Sequence, residues 1–279
     1  MSHQESHYVH GTHPAEQARL GILNEILNQR ELLELNLRPG DRVLEMGAGT
    51  GICARAMARA VGPDGRVVAV ERSEEQLMTA LRQSVELGEL GLLDLREGDA
   101  LKPPLEPEEW GSFDLAHCRF LLEHLPDPAA VVRTLVRTVR PGGRIVLADD
   151  DHELLRLWPE PEGFQDLWRI YWRTYEARGN DPLVGRKLVQ LLHGAGAQPT
   201  RNTYVFFGAC AGHELFPAVV ENMARVVESA REVVLAGGQI DRASFDRVLV
   251  NFRQWGTRDD AALWYGVSWA EGVRPLTDR

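Results

Sequence analysis

The chain has 279 residues, a formal net charge of −10, 44% hydrophobic and 26% charged residues. That suits one large α/β domain carrying insertions, and the composition is ordinary for a water-soluble globular protein. The acidic balance argues against a surface built to wrap nucleic-acid phosphates, and three scattered cysteines (Cys53, Cys118, Cys210) make neither a disulfide framework nor a zinc spacing.

No run approaches the ~18 apolar residues of a membrane span, and the polar start lacks a signal-peptide pattern. A cytoplasmic protein with buried free thiols and no membrane partner is expected. Residues 14–36 carry Leu20, Leu23, Ile26, Leu27 and Leu33 at helical spacing, with Pro14 in the first turn. "LRPGD" ends that helix and leads into a strand at Arg42–Met46. Glycines at 47, 49 and 51 follow, then a helix "ICARAMARAV", the turn "GPDG" and the strand "RVVAVE". Ser73 and Gln76 form a capping-box pattern opening a helix that closes on Gly88. The strands "LLDLREGD" and "FDLAHC", the helix "PAAVVRTLVRTV", the turn "RPGG" and the strand "RIVLADD" complete five strands by residue 150. Strand and helix in rotation imply a parallel sheet with helices on both faces.

Beyond residue 150 the composition shifts. Residues 151–184 carry Trp158, Phe164, Trp168, Tyr171, Trp172 and Tyr175, and read as a helical, aromatic-rich cap. "GRKLVQLLHGAGA" resumes the scaffold as a helix, "NTYVFFGAC" is a sixth strand, and "AALWYGVSWAEGVRP" closes the sheet as a seventh. Residues 213–255 read as two or more helices that complete the cap or pair two protomers, so a homodimer is an open possibility. The expected fold class is α/β: a Rossmann-like, doubly wound, mostly parallel seven-stranded sheet with a helical cap. One domain spans 1–279, with an N-terminal arm and helix at 1–38, a cofactor-binding core at 39–150, the cap at 151–184 and the remaining core at 185–279.

The glycine turn carries the chemistry. A phosphate-binding loop needs Lys-Ser or Lys-Thr after its last glycine, and Ile52-Cys53 stands there. A dinucleotide turn spaces its third glycine three positions after the second, whereas Gly47, Gly49 and Gly51 alternate. Glu45, two positions ahead, repels a pyrophosphate and attracts a cation. Glu71 ends the next strand, where a carboxylate accepts ribose hydroxyls, and Asp99 follows the third strand, within reach of an adenine amino group. A nucleoside bearing a positive charge fits all three positions, and S-adenosylmethionine is such a molecule.

"VLEMGAGTG", "VVAVERS", "EGDA", "FDLAHCRFLLEHLPDP" and "TVRPGGRIVLADDD" stand in the order and spacing of the class I S-adenosylmethionine-dependent methyltransferases. The chain resembles that family over about residues 8–150, and more loosely resembles its small-molecule bacterial members. The resemblance implies cofactor contacts from Glu45, Gly47, Ala48, Gly49 and Gly51, from Glu71 and Arg72, and from Gly98, Asp99 and Ala100. Leu77 or Met78 would flank the adenine. His117 and Arg119 would line the methyl-transfer mouth, and Tyr8 and Arg19 would fold over the methionine end.

His117 is the first choice for a catalytic base, although transfer from a sulfonium can proceed by positioning and desolvation alone. Family members that use a catalytic metal place acidic ligands after the fourth and fifth strands. Here the fourth strand ends in "AHCRF", and neighbouring strand residues in "DDDH" point to opposite faces, so no metal is expected. Asp149, Asp150, Trp158, Trp168 and Trp172 are the expected substrate contacts. The expected activity is methylation of an O, N or C nucleophile of a small, apolar or aromatic acceptor, leaving S-adenosylhomocysteine. The alternatives are a protein or RNA methyltransferase, or a non-catalytic S-adenosylmethionine-binding module.

Overall fold

The computed structural model describes residues 27–276. Helix α1 is seen over 27–35. It is followed by β1 (Arg42–Met46), α2 (Ile52–Val61), β2 (Arg66–Glu71), α3 (Glu74–Glu86), β3 (Leu93–Glu97), β4 (Phe113–Arg119), α4 (Pro128–Thr138) and β5 (Val139–Asp150). The cap and the rest of the scaffold follow as β6 (Arg156–Trp158), α5 (Phe164–Glu176), α6 (Leu188–Gly194), β7 (Gln198–Cys210), α7 (Phe216–Ser229), α8 (Arg231–Ala236), α9 (Arg242–Trp255) and β8 (Ala262–Val273).

The strands form one sheet in the order β3-β2-β1-β4-β5-β8-β6, with β7 also paired to β8. The ladders among β1 to β5 are parallel, and those of β8 with β5, β6 and β7 are antiparallel. Among the described residues the sheet therefore has eight strands, where seven are expected from the sequence. The extra strand, β6, is three residues long, too short to leave a periodic signal, and exists because it pairs with β8. The "RPGG" turn is absorbed into β5, where the register with β4 shifts between Phe113 and Leu115.

Strand alternation sorts the core into two layers. Leu44, Met46, Val68, Ala116, Cys118 and Leu147 pack with Val131 and Leu135 of α4 and Leu188 and Leu192 of α6. Val43, Val67, Leu115, Val146 and Ala148 face the other way and pack with Leu27 and Leu35 of α1, Met57 of α2 and the cap. Ser73 caps α3 as expected, accepting from the Gln76 N–H. Leu33, expected on the apolar stripe of α1, is 80% exposed, and Cys210 is exposed rather than buried.

The two insertions form one helical layer. Phe164, Leu167, Trp168, Tyr171 and Tyr175 share the buried face of α5, and Phe164 stacks on Phe252 of α9 with centroids 3.8 Å apart. Val219, Met223 and Val227 of α7 and Val234 of α8 join the same cluster. Each such large side chain withdrawn from water contributes about 1.5–3 kcal/mol, so α5 is anchored chiefly by its aromatics.

Candidate functional site

The glycine turn sits where β1 ends and α2 begins. Gly47, Gly49 and Gly51 have φ of 74°, 57° and 70°, a region that costs other residues about 1–2 kcal/mol. A Cβ on Gly47 would lie 3.1 Å from the Leu121 side chain, and one on Gly49 would lie 3.0 Å from Gln76 Oε1. Four backbone donors of this turn are used internally. The N–H groups of Gly47 and Ala48 donate to Val70 O, that of Gly51 donates to Ala48 O, and that of Gly49 donates to Glu71 Oε2 at 2.9 Å. The Glu45 carboxylate behind the turn, and the Glu71 carboxylate bonded to Gly49 N, both repel a pyrophosphate here. Glu71 Oε1 accepts from Ser73 N at 2.7 Å, which fixes its carboxylate at the rim of the turn. Gly98 N donates to Glu71 O, bringing the "EGDA" segment alongside.

Behind the turn lies a buried four-charge cluster. Glu45 and His117 are register partners on β1 and β4, with His117 Nδ1 3.7 Å from Glu45 Oε1. His117 Nε2 lies 2.8 Å from Oε1 of Glu31 on α1, and Glu31 Oε2 accepts from Arg119. Burial alone would discharge His117, but the two glutamates outweigh it and push the imidazole up to about 9. Arg119 and His117 likewise overcome the effect of burial on Glu31 and hold its carboxyl below the usual range. One oxygen is left over: Glu45 Oε2 is buried with no hydrogen-bond partner among the described residues. A buried orphan carboxylate oxygen beside a bare turn fits a cationic ligand. Leu27, Glu31, Arg119, Ala148, Val205 and Val267 pack around a gap too tight to hold a water molecule.

A second polar network lies where β5 meets the cap. Asp149 Oδ2 accepts the N–H groups of Leu121 (3.1 Å) and Leu122 (2.8 Å), which fixes the loop whose Leu121 packs on Gly47. Asp150 points to the opposite face, and its Oδ1 accepts the Tyr265 hydroxyl at 2.7 Å. His152 Nε2 lies 3.0 Å from Glu123 Oε2 and 4.0 Å from Asp150 Oδ2. Burial pushes the Glu123 carboxyl up to about 8. Burial and the Glu123 charge push Asp150 up to about 7. Burial lowers His152. Trp168 Nε1 donates to His152 O at 2.7 Å, tying α5 to this point.

The structure brings Glu45, Gly47, Ala48, Gly49, Gly51, Glu71 and Gly98 together at the ends of β1, β2 and β3. Arg72 and Asp99 stand exposed on the same rim, and Asp99 Oδ1 accepts Leu101 N. Tyr8 and Arg19 lie outside the described residues. His117, the residue expected as base, is fully buried between Glu31 and Glu45, a setting that favours its charged form. Asp149 is spent on the loop after β4 and is fully buried. Trp168 and Trp172 lie in the packed interior of the cap, whereas Trp158 is 66% exposed at β6. Glu31, Glu123, His152 and Tyr265 were missed. Glu31 left one signal, standing midway between Leu27 and Leu35 on the buried stripe of α1.

The chain matches the methyltransferase domain family over residues 18–201. It is 34% identical over 169 residues to an uncharacterized protein in a Streptomyces fradiae transposon, covering 60% of this chain and 46% of that one. It is 35% identical over 112 residues to the 2-phytyl-1,4-naphtoquinone methyltransferase of Synechococcus elongatus, covering 40% of this chain and 47% of the relative. The chain thus spans about half the length of these curated relatives. Its fold resembles that of the YcgJ protein of Bacillus subtilis, with a TM-score of 0.57 and 16% identity over 90% of this chain and 99% of the other. Among the described residues no helix is long and apolar enough to cross a membrane. With its motifs, its glycine turn and this match agreeing, the chain belongs to the methyltransferase domain family, among the class I S-adenosylmethionine-dependent methyltransferases.

Proposed function

We propose that this chain transfers a methyl group from S-adenosylmethionine to a small, flat or apolar organic acceptor, leaving S-adenosylhomocysteine. The observation that carries the reading is the orphan Oε2 of Glu45 beside a glycine turn in which the N–H groups of Gly47, Ala48, Gly49 and Gly51 already have partners. An ammonium supplies the missing donor, whereas the Glu45 carboxylate repels a phosphate. Glu71 and the "EGDA" segment are the proposed seats for ribose and adenine. Both stand at strand ends, where ligands of open α/β sheets bind. The bound sulfonium supplies the leaving group of a single displacement. This chain's own part is to hold the donor, align the acceptor and exclude water under the cap.

The acceptor is read as a small molecule because the aromatic-rich α5 packs over the sheet beside the end of β5, tied there by the Trp168 indole. The naphthoquinone named for the Synechococcus relative is of that flat, apolar class. A net charge of −10 offers little track for a nucleic acid. Incubation with isotopically labelled S-adenosylmethionine and a host metabolite extract tests the reading by mass spectrometry. Label in a small organic metabolite is the expected result, and label confined to protein or RNA would contradict it.

A further inference from the structure

We propose that Glu123 and His152 form the proton-accepting pair of methyl transfer, with the acceptor held against the aromatic rings of α5. The inference rests on the methyl-transfer reading above and adds to it the residue that takes the acceptor's proton. Its basis is geometric. His152 Nε2 is engaged by Glu123 Oε2 at 3.0 Å, while its Nδ1 is buried with no hydrogen-bond partner among the described residues. The ring is enclosed by Trp168, Tyr171 and Tyr175, at centroid distances of 5.4, 5.9 and 5.3 Å. An acidic side chain on one ring nitrogen and an unpartnered second nitrogen orient the imidazole, and Nδ1 accepts a proton in the tautomer that leaves it without a hydrogen. Nothing else in the network needs Nδ1: the backbone oxygen of His152 serves Trp168, and Asp150 is held by Tyr265.

The pair stands at the acceptor end of the site. Glu123 lies in the single turn Leu122–His124, two residues beyond the Leu121 that packs on Gly47, and His152 lies two residues beyond the end of β5. α5 lies directly over the pair and shields it from water.

In the step itself, the acceptor's O–H or N–H bond breaks and its proton passes to His152 Nδ1. The electron pair released on the acceptor, or relayed through a conjugated ring to carbon, forms the bond to the methyl carbon. The methyl–sulfur bond breaks with its pair retained on sulfur, giving the neutral thioether. The titratable groups around the imidazole are Glu123 and His124 from the loop after β4, Asp150 and Asp151 from the end of β5, Tyr171 and Tyr175 from α5, and Tyr265 from β8. Asp151 is neutralised by Arg186 at 2.7 Å. At neutral pH the raised Glu123 carboxyl keeps a proton for Nε2, so the ring hydrogen sits on Nδ1. Above about 8 the carboxylate takes the Nε2 hydrogen and Nδ1 becomes bare. Turnover should therefore climb as pH rises through about 8.

The test uses the full chain as wild type, His152→Gln and Glu123→Gln, with three readouts. Calorimetry measures S-adenosylhomocysteine affinity, mass spectrometry measures label transfer from S-adenosylmethionine to the metabolite extract across pH 6 to 9.5, and a nitrogen-15 histidine spectrum reports the ring tautomer. The expected results are S-adenosylhomocysteine affinities within about threefold, and label transfer reduced about 100-fold or more in His152→Gln, the size of a lost general base. Glu123→Gln should be slower and lose the rise near pH 8, and the wild-type His152 Nδ1 should be bare at pH 9.5. Transfer by His152→Gln within threefold of wild type would overturn the proposal and leave the pair a structural contact. A hydrogen on Nδ1 at pH 9.5 would overturn it too, even if the extract contained no acceptor. Failure of the wild type to bind S-adenosylhomocysteine is a different outcome, and overturns the methyl-donor reading on which the proposal stands.

Discussion

Replacing Glu31 by Gln tests the buried charge cluster where it is most exposed to error. Glu31 is a shared partner of His117 and Arg119, so the neutral amide removes one of the two carboxylates that face His117 and breaks a buried ion pair of Arg119. Removing one partner of a buried ion pair costs about 3–5 kcal/mol, a large share of the ~5–15 kcal/mol that holds a domain together. The pH dependence follows from His117, raised from 6.5 to about 9. A group raised on folding stabilises the native state fully below its unfolded value and loses that contribution as pH rises through its folded value. A difference of that size corresponds to about 3 kcal/mol, present at pH 6 and gone by about pH 10. Urea unfolding followed by tryptophan fluorescence, for wild type and variant across pH 6 to 10, gives the comparison. Glu123 and Asp150 also titrate in this range, so the informative quantity is the gap between the two proteins. The gap should be about 3–5 kcal/mol at pH 6 and narrow as pH passes 9. A gap below about 1 kcal/mol, or one that does not change with pH, would refute the reasoning.

Gly47→Ala forces a side chain onto a φ of 74° and 3.1 Å from Leu121. It should lower stability by about 1–3 kcal/mol and weaken S-adenosylhomocysteine binding, and unchanged values in both assays would speak against a tight turn at this point. Glu45→Gln should lower S-adenosylhomocysteine affinity about tenfold or more by calorimetry, because it removes the orphan anionic oxygen; equal affinity would show that the ammonium binds elsewhere. Trp168→Phe keeps the ring but leaves the His152 carbonyl without its donor, and should cost about 1–3 kcal/mol in urea unfolding. A loss under about 0.5 kcal/mol would mean that this bond does little to hold α5.

What could be read from the sequence was what lies close together along the chain. The β1 strand, the alternating glycines and Glu71 fall within thirty residues, and their spacing alone separates this turn from phosphate and dinucleotide loops. The Ser73 cap and the parallel core are local patterns of the same kind. The charged clusters were hidden because their members are distant in sequence: Glu31 and His117 are separated by 86 positions, Glu123 and His152 by 29. His117 was correctly placed at a strand end beside the turn, but its chemistry is set by Glu31, which only the docking of α1 brings within reach. Asp149 and Asp150 show the limit in another way. Alternation does send them to opposite faces, yet only the fold reveals that one meets the backbone of the loop after β4 and the other a tyrosine on β8. The aromatics of α5 read equally well as a substrate lining or as core, and packing against α9 makes most of them core.

The most direct measurement of the central claim is a calorimetric titration of the purified chain with S-adenosylhomocysteine, repeated with Glu71→Ala and with NAD. Wild type should bind one equivalent of S-adenosylhomocysteine, Glu71→Ala should bind it at least tenfold more weakly, and NAD should give no saturable heat. Absence of S-adenosylhomocysteine binding at millimolar concentration, or saturable binding of NAD at the same turn, would contradict the assignment of this glycine turn to a sulfonium nucleoside.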